Sequence, residues 1–274
     1  MSIPAKGIHS IPDQQYFAID LPSSSSTKTL LSATNAHLAH ERENPREDTD
    51  AFTLGAFVHA MLLSPKSIET DFIRIGDIDR RTKAGREEWE TVQRRASLTG
   101  ARVITRALVE QGEAMRDAVL SNPAAAALIH TAHEREATII GEIGGRPAKS
   151  KIDGIIRFAG DRCVVLDIKT TESASPRDFA ASAAKFGYFH QAAFYRRLVE
   201  QAVGPMDEFV IVAIEKKAPY LTAAWRIPDI AIEVADHKID ALVERWWAVR
   251  DGDRTGYPQT VTELEPPRWW LAND

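Results

Sequence analysis

A mixed α/β fold, with a small central mixed sheet flanked by helices and a helical N-terminal portion, is what this chain predicts from the order of its hydrophobic patterns. Helical spacing dominates up to about residue 131, strand-like alternation takes over from 137, and helix and strand patterns alternate from 175 onward. With 274 residues the chain is long enough to bury one substantial core. Its single cysteine, Cys163, excludes a disulfide framework, a cysteine zinc site and a four-cysteine iron–sulfur cluster, so a reducing, cytoplasmic setting is expected. A net charge of −5 argues against a broadly basic nucleic-acid coat but permits a local basic groove. No stretch reaches transmembrane length and the first residues lack a basic-then-apolar leader, so no membrane partner is expected.

Residues 1–25 show little periodicity and read as an N-terminal arm, 26–250 as one domain, and 251–274 as a tail rich in proline and tryptophan. In that tail Trp269-Trp270 is placed to dock on the core or on a neighbouring subunit. The serine run Ser23–Ser26 is a breaker, and Ser26 or Thr27 is placed to cap a helix from Lys28, with Leu30, Leu31, Thr34 and Leu38 at helical spacing. Glu41–Asp50, with Pro45, reads as a loop. Thr53–Leu63 is a second helix, on which Gly55 and His59 stand four apart and share one side. A glycine inside a helix costs about 1 kcal/mol relative to alanine, so a close approach beside Gly55 is expected. His59 itself is either a packed core histidine or a ligand.

Asp77–Trp89 gathers Arg80, Arg81, Lys83 and Arg86 around a glycine and an aromatic. It reads either as a mobile loop contacting phosphates or as a solvated charged loop leading into a helix. Glu87–Leu98 and Arg102–Leu120 have helical patterns, Asn122-Pro123 stops the second, and Ala124–Thr131 is a short helix after it.

Ala137–Ile143 is strand-like, Gly144-Gly145 turns, and a hairpin of Lys151–Phe158 with Arg162–Lys169 follows around Ala159-Gly160-Asp161. Centring the turn on Gly160 sets Asp153 opposite Asp167 and puts Ile152, Ile156 and Phe158 on one face with Val164, Leu166 and Ile168. Lys151, Asp153, Asp167 and Lys169 occupy the other face. Like charges paired across a hairpin, with Cβ atoms roughly 5 Å apart, destabilise it. A divalent cation such as Mg²⁺, which favours one or two carboxylates plus waters and phosphate, would explain the pair. A solvated hairpin whose carboxylates are answered by Lys151 and Lys169 is the plainer alternative.

Ser175-Pro176 opens a helical region in which Tyr188, Gln191 and Tyr195 share one face of Tyr188–Glu200, beside an apolar stripe of Phe194 and Leu198. Phe209–Ile214 suits a buried strand, Leu221–Ile227 its partner, and Ala231–Val249 one long amphipathic helix.

Asp153, then Asp167-Ile168-Lys169, then Gln191-Ala192-Ala193-Phe194-Tyr195 resemble the three motifs of the PD-(D/E)XK nuclease superfamily. Within it the chain is most similar to exodeoxyribonuclease VIII, the RecE-like exonucleases of phages and prophages, from about Ser26 to Trp247. Gly55-Ala56-Phe57-Val58-His59 is similar to the G-x-x-x-H motif that this family and the RecB nuclease domain carry upstream, and Asp79–Arg86 to a recurring segment of phage relatives. One departure is that the first motif reads K-I-D where P-D is usual.

The resemblance implies a restriction-endonuclease-like core over residues 26–250 and a Mg²⁺-dependent exodeoxyribonuclease, with Mn²⁺ able to substitute. It implies Asp153, Asp167 and the Ile168 carbonyl as metal ligands, and Lys169 as the group that positions the attacking water and stabilises charge on the phosphate. His59 becomes a further metal ligand or phosphate neighbour, Gln191 and Tyr195 orient the phosphate or hydroxide, and Glu136 stands where some relatives have an extra acidic residue. It further implies linear double-stranded DNA ends as substrate, degraded 5′ to 3′ to leave 3′ single strands. A single-strand annealing recombination protein would be the partner and a homo-oligomeric ring the assembly. A RecB-like single-strand or flap nuclease and a non-catalytic DNA-binding module on the same fold are the alternatives.

Overall fold

The computed structural model describes residues 3–45 and 48–267, so the Trp269-Trp270 pair lies outside the described residues. Its strands, in chain order, are β1 (Gly7–His9), β2 (Phe72–Ile75), β3 (Arg102–Thr105), β4 (Glu134–Ile143), β5 (Arg146–Arg157), β6 (Cys163–Thr171), β7 (Met206–Glu215) and β8 (Thr222–Arg226). Six of them form one mixed sheet in the order β1-β4-β5-β6-β7-β8. Its neighbours are antiparallel except β6 and β7, whose parallel pairing is made through the Pro176–Lys185 and Tyr188–Ala202 helices. That crossover is what a parallel pair requires.

Helices cover both faces. On one, Tyr188–Ala202 and Ile239–Arg250 bury Ala193, Leu198 and Trp246 with Ile139, Val165 and Phe209. On the other, Asp50–Leu63, Arg106–Ser121 and Pro123–Thr131 bury Val58, Met115 and Ile129 with Leu166, Ile168 and Val212. Each fully buried Val, Leu, Ile, Phe or Met side chain among these contributes about 1.5–3 kcal/mol.

The central hairpin keeps the register read from its pattern, with Gly154 opposite Leu166 and Ile156 opposite Val164. Gly160 and Asp161 turn it at φ 81° and 59°. The expected common face is only half present, however. Val164, Leu166 and Ile168 do lie opposite Val165, but Ile152 packs with Ile155 in the other core and Phe158, beyond the strand end, is 54 % exposed.

The segment read as an arm is packed against the sheet. Its Gly7–His9 strand pairs with Thr138–Ile140 of β4, and Tyr16, Ile19 and Leu21 are buried. Buried Lys149 reaches across to donate to the carbonyls of Tyr16 and Ile19, both at 2.6 Å, with its ammonium 4.3 Å from the Tyr16 ring centroid. Hydrogen bonds to a charged donor contribute about 1.5–3 kcal/mol. Lys149→Met should therefore lower the midpoint of denaturant unfolding by an equivalent of about 1.5–3 kcal/mol; an unchanged midpoint would show that the segment docks without it.

Other boundaries differ for local reasons. Ser23, with Ser26 in a capping box, starts a short Ser24–Thr27 helix, and a second helix, Asn35–Glu43, follows after Thr34. Arg102–Thr105, expected as the start of a helix, pairs in parallel with β2; the helix begins at Arg106, where Thr105 accepts from the Leu108 N–H. The helix expected over 231–249 is two, Asp229–Asp236 and Ile239–Arg250. Thr82 caps the Lys83–Thr99 helix, so half of the basic stretch is helical. No helix among the described residues is long and apolar enough to cross a membrane.

Candidate metal centre

Alternation along β5 slips at Asp153. Ile152 and Ile155, three residues apart, belong to one core while Ile156 packs with Val164 and Val210 in another cluster. Facing this point on β4 is Glu136, a non-glycine residue at φ 51°, flanked by the pairs Arg135–Gly154 and Ala137–Ile152. A left-handed conformation there costs of order 1–3 kcal/mol and persists only where surrounding structure imposes it. Its effect is to place the carboxylates of Glu136 and Asp153 at the wall of a cleft of about 780 Å³.

The Asp50–Leu63 helix supplies the third group. Donor atoms of His59, Glu136 and Asp153 all lie within 4.8 Å of one another. His59 Nδ1 is 3.5 Å from Asp153 Oδ2, and its Nε2 donates to the Ile168 carbonyl at 2.8 Å. The Ile168 N–H donates to Asp153 Oδ2 at 2.7 Å, so the two peptide groups flanking Ile168 are each tethered, one by Asp153 and one by His59. Gly55, one turn before His59, also lines the cleft; a Cβ there would stand in ordinary contact, 3.5 Å from Thr170 Oγ1, so the close approach expected beside this glycine is not what the structure requires.

Asp167 is 1 % exposed and sits behind the cleft wall. Gln191 Nε2 donates to its Oδ1 at 2.6 Å, and Lys169 Nζ lies 2.5 Å from its Oδ2. Lys169 lines the cleft, with Tyr188 5.4 Å from its ammonium. Tyr195 donates to the Lys151 carbonyl at 2.8 Å, which fixes the strand just before Asp153. Lys151 pairs with Glu136 at 3.3 Å and with Asp13, so it answers neither hairpin aspartate. The plainer picture of a solvated hairpin fails here, because both aspartates are buried.

The electrostatics are those of an anionic site short of positive charge. Burial pushes the Asp153 carboxyl up to about 7; His59 draws it down, while Asp167 adds to the rise. Burial lowers the Lys169 ammonium, but Asp167 and Asp153 outweigh that and hold it above the ordinary lysine value. Two carboxylates, an imidazole and a neighbouring backbone carbonyl form a mostly hard donor set, which suits a divalent cation such as Mg²⁺ or Mn²⁺. The residues present fit such an ion.

The structure thus brings together His59, Glu136, Asp153, Ile168, Lys169 and Tyr195 around the cleft, with Asp167 and Gln191 directly behind. It does not bring Arg80, Arg81, Lys83 or Arg86 there. Arg81 bonds Asp79, Arg86 bonds the Arg81 carbonyl and Arg80 rides on Trp89, all on an exposed segment that contributes no lining residue. The basic groups that do line the cleft, besides Lys151 and Lys169, are Arg102 and Arg135, with Phe52 under the Arg102 guanidinium at 5.3 Å. Arg135 directly precedes Glu136 on β4, whereas no spacing in the sequence links Arg102 to the site; only the folded chain does.

Residues 23–259 match a family described as a PDDEXK-like domain of unknown function (DUF3799). Among solved structures, a protein from Eubacterium rectale described as "Putative exonuclease" superposes with a TM-score of 0.63 at 15% identity, over 97% of this chain and 99% of that one. The protein SSO0001 gives a TM-score of 0.31 at 14% identity over 79% of this chain and 84% of its own. No curated protein matches the sequence.

Proposed function

Because the chain belongs to the PDDEXK-like family DUF3799, we propose that it is a divalent-metal-dependent nuclease, and within that class an exodeoxyribonuclease acting on the ends of linear double-stranded DNA. The observation that carries this reading is the convergence of Asp153, Glu136 and His59 in an open cleft beside a charged Lys169. Asp153, Glu136 and His59 would hold the ion, with Asp167 and the Ile168 carbonyl as the adjoining ligands that the sequence motif suggests. Mg²⁺ is the expected occupant and Mn²⁺ its substitute. Bound there, the metal supplies Lewis-acid polarisation of a phosphoryl oxygen and a water acidified toward neutrality.

The protein's own groups do the rest. The Lys169 ammonium places fixed positive charge where the phosphate gains negative charge, and it needs no reorganisation because Asp167 already holds it. Gln191 orients Asp167 and so indirectly Lys169. The peptide groups on either side of Ile168, tethered by Asp153 and His59, keep Asp167 and Lys169 in fixed relation to the ligand group. Arg102 and Arg135 offer positive charge to the incoming backbone. Degradation from 5′ ends, 3′ single strands passed to an annealing partner, a homo-oligomeric assembly and a cytoplasmic setting complete the proposal; the sequence resemblance supports them. Arg80, Arg81, Lys83 and Arg86 would serve as an outlying phosphate contact.

A time course on end-labelled linear duplex, closed circular duplex and single-stranded DNA, with Mg²⁺ or EDTA, tests the reading. Metal-dependent loss of the linear duplex with circles intact is expected. Cutting of closed circles would sink the exonuclease assignment, and DNA binding without any metal-dependent cleavage would leave a non-catalytic module.

A further inference from the structure

A second groove, of about 1220 Å³, opens between the Asn35–Glu43 helix and the start of the Tyr188–Ala202 helix. Lys28, Lys185, Lys238, His190 and Phe186 are in its lining, and Ser25 lines both this groove and the metal cleft. In a chain of net charge −5, three lysines without an ion pair among the described residues gather here. Glu41, the carboxylate of this lining, accepts from Thr29.

The groove is linked to the cleft by a run of aromatic contacts. Lys28 Nζ stands 5.3 Å from the Phe186 ring centroid and 5.9 Å from that of Tyr188, whose ring also carries Lys169 at 5.4 Å. Lys185 lies 5.5 Å from the Phe186 ring, which is itself 43 % exposed. An exposed aromatic beside mobile cations is how proteins hold unpaired nucleotides. A base takes the ring face, and the lysines, on flexible four-carbon stems, move to the flanking phosphates. A base in a duplex has no free face to offer, so the feature selects single strands.

We propose that this groove is the path of a single-stranded nucleic acid leading away from the metal cleft, with Phe186 as its stacking platform and Lys28, Lys185 and Lys238 as its phosphate contacts. The inference rests on the nuclease reading, for which it names the course of one strand.

Anisotropy titrations of a dye-labelled oligodeoxythymidine in EDTA at several salt concentrations test it, with a labelled duplex of equal length alongside. Lys185→Ala/Lys238→Ala should reduce the slope of log affinity against log salt by about 1.4, since each phosphate neutralised on a single strand contributes about 0.7. Phe186→Ala should weaken oligonucleotide binding about tenfold with little change of slope. An unaltered slope and affinity in the double variant, or a loss confined to the duplex, overturns the groove assignment. Metal-dependent digestion of linear duplex by the wild type, run in parallel, reports separately on the nuclease reading, whose failure is the absence of digestion whatever the oligonucleotide does.

Discussion

Lys169→Ala should slow metal-dependent cleavage by at least about 10²–10³, the usual consequence of deleting one preorganised group that meets charge developing in a transition state. The same substitution strips a buried carboxylate of its cation, because Asp167 is 1 % exposed and Lys169 Nζ is its close partner. Breaking a buried pair from one side costs about 3–5 kcal/mol, so lost activity alone would not separate chemistry from misfolding. Lys169→Ala/Asp167→Asn isolates the stability cost, and Asp167→Asn alone serves as its activity reference because Asp167 is itself an expected ligand. Gln191 can still bond the amide, the stranded charge is gone, and stability should recover most of the loss while cleavage stays absent. Recovery of cleavage along with stability in the double variant would remove Lys169 from the chemistry. The measurements are single-turnover digestion and urea unfolding of each of these variants.

Asp153→Asn should raise the thermal midpoint of the metal-free protein at pH 8, and the gain should vanish toward pH 4. Its carboxyl is pushed up to about 7 by burial, with His59 opposing and Asp167 adding to the rise, against an ordinary value of 3.8. A carboxyl raised in the folded state binds its proton more tightly there than in the unfolded chain. Its contribution is fully present below the unfolded value and is lost as pH rises through about 7, so the wild type falls behind the amide across that window. At about 1.4 kcal/mol per unit the ceiling is about 4 kcal/mol. Added Mg²⁺ should reverse the order, stabilising the wild type by mass action while leaving the amide variant unmoved. Metal affinity of the wild type should fall below pH 7, where the proton competes for the ligand. A wild type that outlasts Asp153→Asn at pH 8 in EDTA would show that the aspartate is not strained by its surroundings.

How much of this could be read beforehand depended on how local the cause was. The hairpin register was legible because Gly160-Asp161 suits a positive-φ turn and Val164, Leu166 and Ile168 alternate cleanly. The Tyr188-Gln191-Tyr195 face was legible from helical spacing, and Gln191 and Tyr195 do point at the hairpin. Ile152 was misplaced because pattern reading assumes unbroken alternation, and one left-handed residue on the facing strand, Glu136, coincides with the slip. β1 is three residues long and β2 and β3 four each, too short for any period to declare itself. Glu136 itself had no signal of its own beyond the resemblance. Arg102, on the separate β2–β3 pair, comes from a remote segment and meets the cleft only through the fold, whereas Arg135 arrives with β4, next to Glu136 and paired with Gly154.

His59 grips a carbonyl 109 residues further along the chain, inside the very tripeptide that holds Asp167 and Lys169. Motif and grip therefore form one mechanical part drawn from two distant stretches. A fragment beginning at the first long strand could carry every acidic and basic letter of the signature yet leave its lysine without the hand that sets its aim, so inheritance of that signature alone says little about competence.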